Sequence, residues 1–595
     1  MKKRLSLMLV TLMAFGSILA ACGGDESAAP ADTNTPTETS TDNTATPDES
    51  TAEEPDATEE PAAESDSAIG LTEAEDMSLN PAAATARTDS AIIGLVAPQG
   101  VFNPMFYQTT YDAYVNNLIF PSLLKIKGDG TYENDLAESI DISDDNKTYT
   151  FKIRDDANYT DGTPVTAGDY LFAMKVYMDA SYDGQSDPLS WNVVGAQDYH
   201  DGKAKDISGI KVVDDKTVEV TVSDYDAMTQ VNLGGVAPLS EAYYGKSYKQ
   251  GDVSSIKELN NKPMGAGPYK LTKYTAGQEV DFEANENYYD GAPKIPKLIY
   301  KVTTDTTNMA MLQSGETDLD NVTVNEDNVE ELKSMGFLDV DVLKNNGYGY
   351  VAMNNNNPLF TDPKVRQALT YGLNRAEVVE AAYGPYAEVI NIPQSDVSWA
   401  YTAENINTYD YDPEKAKQLL DEAGWVEGSD GIREKDGKKF EVNFSATADN
   451  PVIDALIPIM TENYEQLGIK LVVETLDFNA IMEKKDKGDY DMFFAAWGLT
   501  PDPDSTVYVT DGAQNNSGYS NKEVDELYKQ GKKELDLEKR KAIYAEIYQK
   551  INADAPEILM YQRTNMNAIN GRLDGWDVTP YKEFPYSLHQ VEISQ

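Results

Sequence analysis

"YENDLAESIDISDDNKTYTFKIRDDANYTDGTPVTAGDYLFAMK", Tyr132 to Lys175, carries three local structures in succession. "TYTFKIR" (Thr148–Arg154) alternates apolar and polar side chains with the two-residue period of a half-buried strand. Asp144-Asp145-Asn146-Lys147 just before it are turn formers, so the segment predicts a β-hairpin folded at those four residues. Asp161-Gly162 predicts a second, tight turn, and Thr166 offers the side-chain oxygen that opens a helix.

The same two periods alternate outward from this stretch. "KTVEVTV" (Lys216–Val222) is another strand pattern. "DPKVRQALTYGLNR" (Asp362–Arg375) is an amphipathic helix opened by Pro363. "PEKAKQLLDEAGW" is a helix that starts at Asp412-Pro413 and stops at Gly424. "VDELYKQGKKELDLEKRKAIYAEIYQKI" (Val524–Ile551) reads as two helices. From Arg87 to Gln595 the chain has about 500 residues, too many for one core, so the expected class is mixed α/β with two or three lobes. No internal repeat is present.

The first 86 residues read differently. Lys2, Lys3 and Arg4 precede an apolar run from Leu5 to Ala21, shorter than the ~20 residues of a spanning helix. Residues 1–21 therefore predict a secretory signal peptide. Leu19-Ala20-Ala21-Cys22 resembles a bacterial lipobox, in which the cysteine becomes the lipid-bearing N-terminus. Cys22 is the single cysteine of the chain, so no disulfide partner competes for it. Gly23 to Ala86 has no Lys, Arg or aromatic residue. Such a segment buries too little apolar surface to offset the entropy of ordering, so residues 22–86 predict a disordered, extended acidic tether.

Overall, 101 Asp and Glu face 49 Lys and Arg, a formal net charge of −52. That excludes nucleic acid and anionic lipid surfaces as partners, which call for basic patches, and leaves a lipid as the only hold on a membrane. Two histidines, His200 and His589, and no Cys or His cluster argue against a transition-metal site. There is no P-loop, no dinucleotide fingerprint and no G-x-S-x-G elbow, and the acidic loops lack the glycine and terminal glutamate of a calcium loop. With no nucleophile–base pair and no cofactor implied, the chain reads as a binding protein rather than an enzyme. Tyrosine outnumbers phenylalanine 37 to 15, a composition suited to wet clefts.

The Tyr132–Lys175 stretch strongly resembles the signature of extracellular solute-binding proteins of family 5, the receptors of peptide and nickel ABC importers. Further matches follow in family order: "GAGPYKLTKYTAGQEVDFEANENYYDGAPKIPKLIYKV", "QSGETDLD", "FTDPKVRQALTYGLNR", "YDPEKAKQLLDEAGW", "YDMFFAAWGLTPDPDS" and "APEILMY". Tyr159 stands where the family usually has tryptophan. The resemblance implies a two-lobed clamp with a β-rich subdomain and two hinge strands, one near Tyr348 to Met353. It implies lobe I from 87–120, 235–345 and 551–595, the extra subdomain from 121–234 and lobe III from 346–550. It also implies a monomeric, lipid-anchored receptor on the outer face of a cell membrane, of the Gram-positive kind, that hands its ligand to the permease subunits of an importer. Peptide is the implied ligand class; a non-peptide solute (oligosaccharide, nickel or haem) and a secreted hydrolase are the alternatives.

Two segments match those that line the ligand in relatives. One is Thr109, Thr110, Tyr111 and Asp112, aligned without gaps between "FNPMFY" and "IFPSLL"; the other is Ala496, Trp497 and Gly498. Many relatives carry, three residues after that tryptophan, an aspartate that pairs with the peptide α-ammonium. Here the position is Thr500, and the nearest carboxylates are Asp502 and Asp504 in "TPDPDS". Either Asp502 swings in to replace the charge, or the peptide end is not gripped there and longer peptides lie across the cleft. The second reading is the one expected, because prolines restrict the turn.

Overall fold

The computed structural model describes residues 68–447 and 450–594. Cys22, the apolar leader and most of the acidic tract lie outside the described residues.

The folded chain begins earlier than its composition implies. β1 (Gly70–Thr72) lies antiparallel to Val340–Val342. The Glu75 and Asp76 amides both donate to the Gly336 carbonyl, and the Asn80 and Asn570 side chains exchange hydrogen bonds of 2.8 and 3.0 Å. This corrects the expectation that the tether runs to 86. Residues too poor in apolar bulk for a core of their own are added to the margin of an existing one, where backbone pairing suffices.

β2 (Ser90–Leu95) and α1 (Thr110–Ile119) follow, and then the stretch that opened the reading. β3 (Ala137–Ile142) and β4 (Thr148–Ile153) form the hairpin, with Ile142 opposite Tyr149. Asn146 in the turn adopts φ 56°, a left-handed conformation that asparagine tolerates. α2 (Ala167–Tyr177) opens with a reciprocal cap: the Asp169 amide donates to the Thr166 hydroxyl, and the Thr166 amide donates to the Asp169 carboxylate. β5 (Ile210–Val212) and β6 (Thr217–Thr221) complete a four-stranded sheet in the order β3-β4-β6-β5. Its Phe151 and Val218 are fully buried in one core cluster with Tyr170 and Ala173 of α2.

The larger sheet is assembled from distant parts of the chain. β7 (Tyr269–Thr275), β8 (Glu279–Ala284) and β9 (Lys297–Val302) come first, then α3 (Asn308–Ser314), β10 (Leu319–Val322), β11 (Leu338–Lys344) and β12 (Gly347–Met353). α4 (Pro363–Tyr371) and α5 (Pro413–Glu422) both start on proline, as their sequences require. β13 (Glu441–Ala446), β14 (Lys470–Thr475), β15 (Met492–Gly498), α6 (Lys522–Lys533), α7 (Leu537–Asp554) and β16 (Glu557–Asn570) complete the set. The strand order is β14-β13-β15-β12-β16-β10-β2-β9-β8-β7, with β11 also on β16.

β16 is the key to the two-lobed shape. Its first residues pair with β12, Tyr561 opposite Gly349; its last pair with β11 and β10, from Thr564 opposite Lys344 to Asn570 opposite Leu338. Ile93, Leu298, Leu319 and Ile569 of the first lobe belong to one apolar cluster, and Val351, Leu369, Phe444 and Met492 of the second belong to a separate one. The chain crosses between them twice, at Asn345-Asn346 just before β12 and at Gln562–Thr564 inside β16. The boundary expected at 551 therefore moves to 562–564, because one strand serves both lobes. At the crossing the Asn345 amide donates to the Arg563 carbonyl and the Gln562 side chain to the Asn345 carbonyl. Gly349 is required here: a Cβ would sit 2.5 Å from the Tyr561 ring.

Candidate functional site

A cavity of about 770 Å³ lies between the lobes against this double crossing. The first lobe contributes the carboxyl ends of β2, β9 and β10 and the first turn of α1; the hinge contributes Lys344–Asn346 and Arg563–Asn567; the second lobe contributes Tyr383, Gly498 and Leu499. Ligand sites recur at the carboxyl ends of strands for the same geometric reason, since that is where a sheet leaves a crevice.

Of the residues expected from sequence, Thr110, Tyr111 and Gly498 line the cavity. Thr109 and Asp112 do not; both are engaged in local structure. Thr109 caps α1, its hydroxyl accepting from the Asp112 amide and donating to the Asp112 carboxylate at 2.7 Å. Asp112 is fully buried and also accepts from the amides of Gln99, Gly100 and Val101, at 2.9 to 3.3 Å. A carboxylate so bonded holds a loop and is not free for a ligand.

Ala496 is exposed, and Trp497 is half-buried, its ring stacked on Tyr350 at 6.2 Å and 7°. The Trp497 indole nitrogen is buried without a hydrogen-bond partner. These residues belong to β15, which pairs with β12 along its whole length, from Met492 opposite Met353 to Gly498 opposite Gly347. On its other side β15 meets β13 only at Met492 and Phe493. From Ala495 to Gly498, then, one strand edge has no ladder partner among the described residues, and it runs to the cavity at Gly498. A Cβ added to Gly498 would meet nothing within 4 Å.

Asp502 is committed elsewhere. Arg540 of α7 donates to both its carboxylate oxygens, at 2.7 and 3.0 Å, and that guanidinium is packed over Trp399, 4.7 Å from the ring centre. The Thr500 hydroxyl donates to the Asp502 carbonyl. Neither lines the cavity, which corrects their expected place beside a ligand.

The charges that do reach the cavity were not marked by any sequence pattern. Lys344 is spent on Glu388 (2.6 Å) and Asp396. Arg563 is exposed, and its side chain has no ion-pair or hydrogen-bond partner among the described residues. Asp305, Asp320 and Glu583 are the acidic groups in the wall; burial raises the Glu583 carboxyl, while the Tyr114 hydroxyl opposes the rise. Away from the hinge the lobes meet again through the extra subdomain: the Ala227 amide donates to the Lys532 carbonyl at 2.8 Å, and Lys533 pairs with Asp224 at 2.7 Å.

Two lobes, two crossing segments and a cavity between them define a clamp-type solute-binding protein. Residues 131–519 match the bacterial extracellular solute-binding proteins, family 5 (middle), and the chain belongs to that family. It is 28% identical over 511 residues to the oligopeptide-binding protein AppA of Bacillus subtilis, covering 84% of this chain and 90% of AppA. It is also 28% identical over 514 residues to the heme-binding protein A of Haemophilus influenzae, covering 82% and 89%. The solved structure of B. subtilis AppA in complex with a nonapeptide superposes with a TM-score of 0.68 at 27% identity, covering 85% of this chain and 99% of that one.

Proposed function

We propose that this protein is a lipid-anchored extracellular receptor that captures peptides, oligopeptides above all, and delivers them to an ABC importer, acting as a monomer and without catalysis. The observation that carries it is the unpaired edge of β15 from Ala495 to Gly498, which ends at the inter-lobe cavity. A peptide backbone can add to such an edge as a further strand, taking its affinity from main-chain hydrogen bonds rather than from particular side chains. The likeness to AppA supports peptide over haem. The neutral Thr500 and the engaged Asp502 leave no free carboxylate beside Trp497 to hold a peptide end, which favours ligands longer than a dipeptide. Cys22 supplies the lipid and the acidic tract the reach from membrane to permease.

A ligand that binds only the folded form stabilises it by about 2.7 kcal/mol at 100 times Kd. A pool of synthetic oligopeptides should therefore raise the melting temperature, and mass spectrometry should recover the peptides intact. A shift with haem or an oligosaccharide and none with peptides would overturn the reading. For the anchor, Cys22→Ser should release the protein into the medium or leave it unprocessed in the membrane; a processed variant still held to cells in a detergent-extractable form would contradict it.

A further inference from the structure

Asp320, in β10, lines the cleft but is only 4% exposed, and its Oδ2 is buried without a hydrogen-bond partner. The next strand makes room for it. Gly94 of β2 sits alongside, and a Cβ there would lie 1.8 Å from Asp320 Oδ2. Glycine inside a strand weakens it by roughly 0.5–1 kcal/mol relative to alanine, and a buried carboxylate with no cation beside it and one oxygen unbonded is costlier still. Packing alone would favour the reverse choices, since Leu319 and Val322 of the same strand are apolar and buried. Asp318, two positions earlier, shows how this lobe treats a carboxylate meant only for structure: Arg87 and Arg572 hold it at 2.7 and 2.8 Å. Asp320 has no such cation.

We propose that Asp320 is the cleft's anchor for a positively charged nitrogen of the ligand, an ammonium carried by a lysine side chain or by the peptide α-amine. The inference rests on the peptide reading above and names the ligand chemistry of that same site. The protein's own cations in the wall do not serve the role. Lys344 is neutralised by Glu388 and Asp396. Arg563 is five residues along β16 from Ala568, the partner of Asp320, so about 16 Å of strand separates them. Because the peptide end is not held beside Trp497, a lysine side chain is the expected source.

The charged groups around Asp320 are few. Asp305, following β9, raises its carboxyl further; Lys301 of β9 is paired with Glu316, Asp318 with its two arginines, and Asp341 of β11 lies beyond β16. Burial is the main cause of a rise to about 7, despite the nearby Thr303 hydroxyl and Asn321 amide. An ammonium beside the group would pull it back down, so binding would expel a proton. The sign follows: affinity for a cationic peptide is full above pH 7 and lost below it, by about 20-fold between pH 7.5 and 5.5. If the α-amine is the source, affinity declines again above pH ~8 as that amine loses its proton.

The test is titration calorimetry of the full chain with four synthetic heptapeptide pools, with one lysine or with norleucine in its place, each free or N-acetylated. The two lysine pools should bind at least tenfold tighter than the acetylated norleucine pool and show the pH profile just described. Asp320→Asn should erase the preference and flatten the profile. Loss of affinity on lysine removal identifies the side chain as source, loss on acetylation the α-amine; either supports the anchor. Equal binding of cationic and neutral pools, a flat wild-type profile, or a preference that survives Asp320→Asn overturns it. The wild-type profile decides even if the variant does not fold. If no pool binds at all, the peptide reading itself fails and takes this inference with it; if only the preference is missing, the peptide reading stands.

Discussion

At the hinge the two lobes share a strand and are held by buried side chains; at the Asp224–Lys533 contact they share nothing continuous, and the paired side chains are 61% and 49% exposed. The hinge contact is also more deeply buried. Asn346, 9% exposed, donates from its side chain to the Leu499 carbonyl at 2.9 Å and accepts from the Ser395 hydroxyl at 2.6 Å, while its carbonyl receives the Leu499 amide. Hydrogen bonds in such a place are expensive to leave unmade, whereas an exposed lysine–aspartate pair contributes ~0–1 kcal/mol. The difference separates two jobs. The hinge fixes the axis about which the lobes turn, and the second contact is weak enough for a ligand's binding energy to decide how far they turn. A latch worth several kcal/mol would hold an empty clamp shut.

The largest effect should come from the hinge. Asn346→Ala strands the Leu499 carbonyl and the Ser395 hydroxyl, and should destabilise the ligand-free protein by roughly 2–4 kcal/mol in denaturant unfolding. Since Asn346 also lines the cavity, peptide affinity should fall with it. A loss below about 1 kcal/mol would show that the shared strand alone fixes the hinge, and would erase the contrast between the two contacts.

The same contrast explains what could be read from sequence. The hairpin, the Asp161-Gly162 turn and the capped helix between Tyr132 and Lys175 are local structures, each specified by residues within a few positions of one another, and all form as expected. The helices opened by Pro363 and Pro413 are local in the same sense. The cleft is not. Thr109 and Asp112 have the chemistry of ligand contacts, but threonine and aspartate are also the residues of helix caps, and nothing short of the fold distinguishes the uses. Asp502 looks free until Arg540, a helix away, is brought to it. Asp320 and Arg563 enter one cavity only because β10 pairs with β16, a union of distant segments that leaves no spacing signal. The early start of the folded body has the same origin: β1 has almost no pattern of its own and is ordered by the strand it joins. Ala496–Gly498 is legible through the family resemblance; the free edge, which begins at Ala495, depends on where β13 stops pairing.

The smallest effect on stability, and the sharper test of the comparison, belongs to Lys533→Ala. Lys533 pairs with Asp224, donates to the Tyr225 carbonyl and lies 5.4 Å from the Tyr225 ring centre. All these partners are near water, so removing the ammonium leaves no buried group unsatisfied and should change the unfolding free energy by less than about 0.5 kcal/mol. The backbone bond from Ala227 to Lys532 does not involve the side chain and survives. The closed population is another matter. Between two states of similar free energy, half a kilocalorie changes their ratio by about twofold, and a ligand that binds the closed form pays for whatever closure the protein no longer supplies. X-ray scattering of the ligand-free variant should therefore show a larger radius of gyration than the wild type. Saturating peptide should restore the compact form, at an affinity lowered about twofold. High salt should move the wild type the same way, because exposed charges are screened. A variant that unfolds easily yet stays closed would reverse the assignment: the second contact would then belong to the fold, and the hinge alone would govern motion.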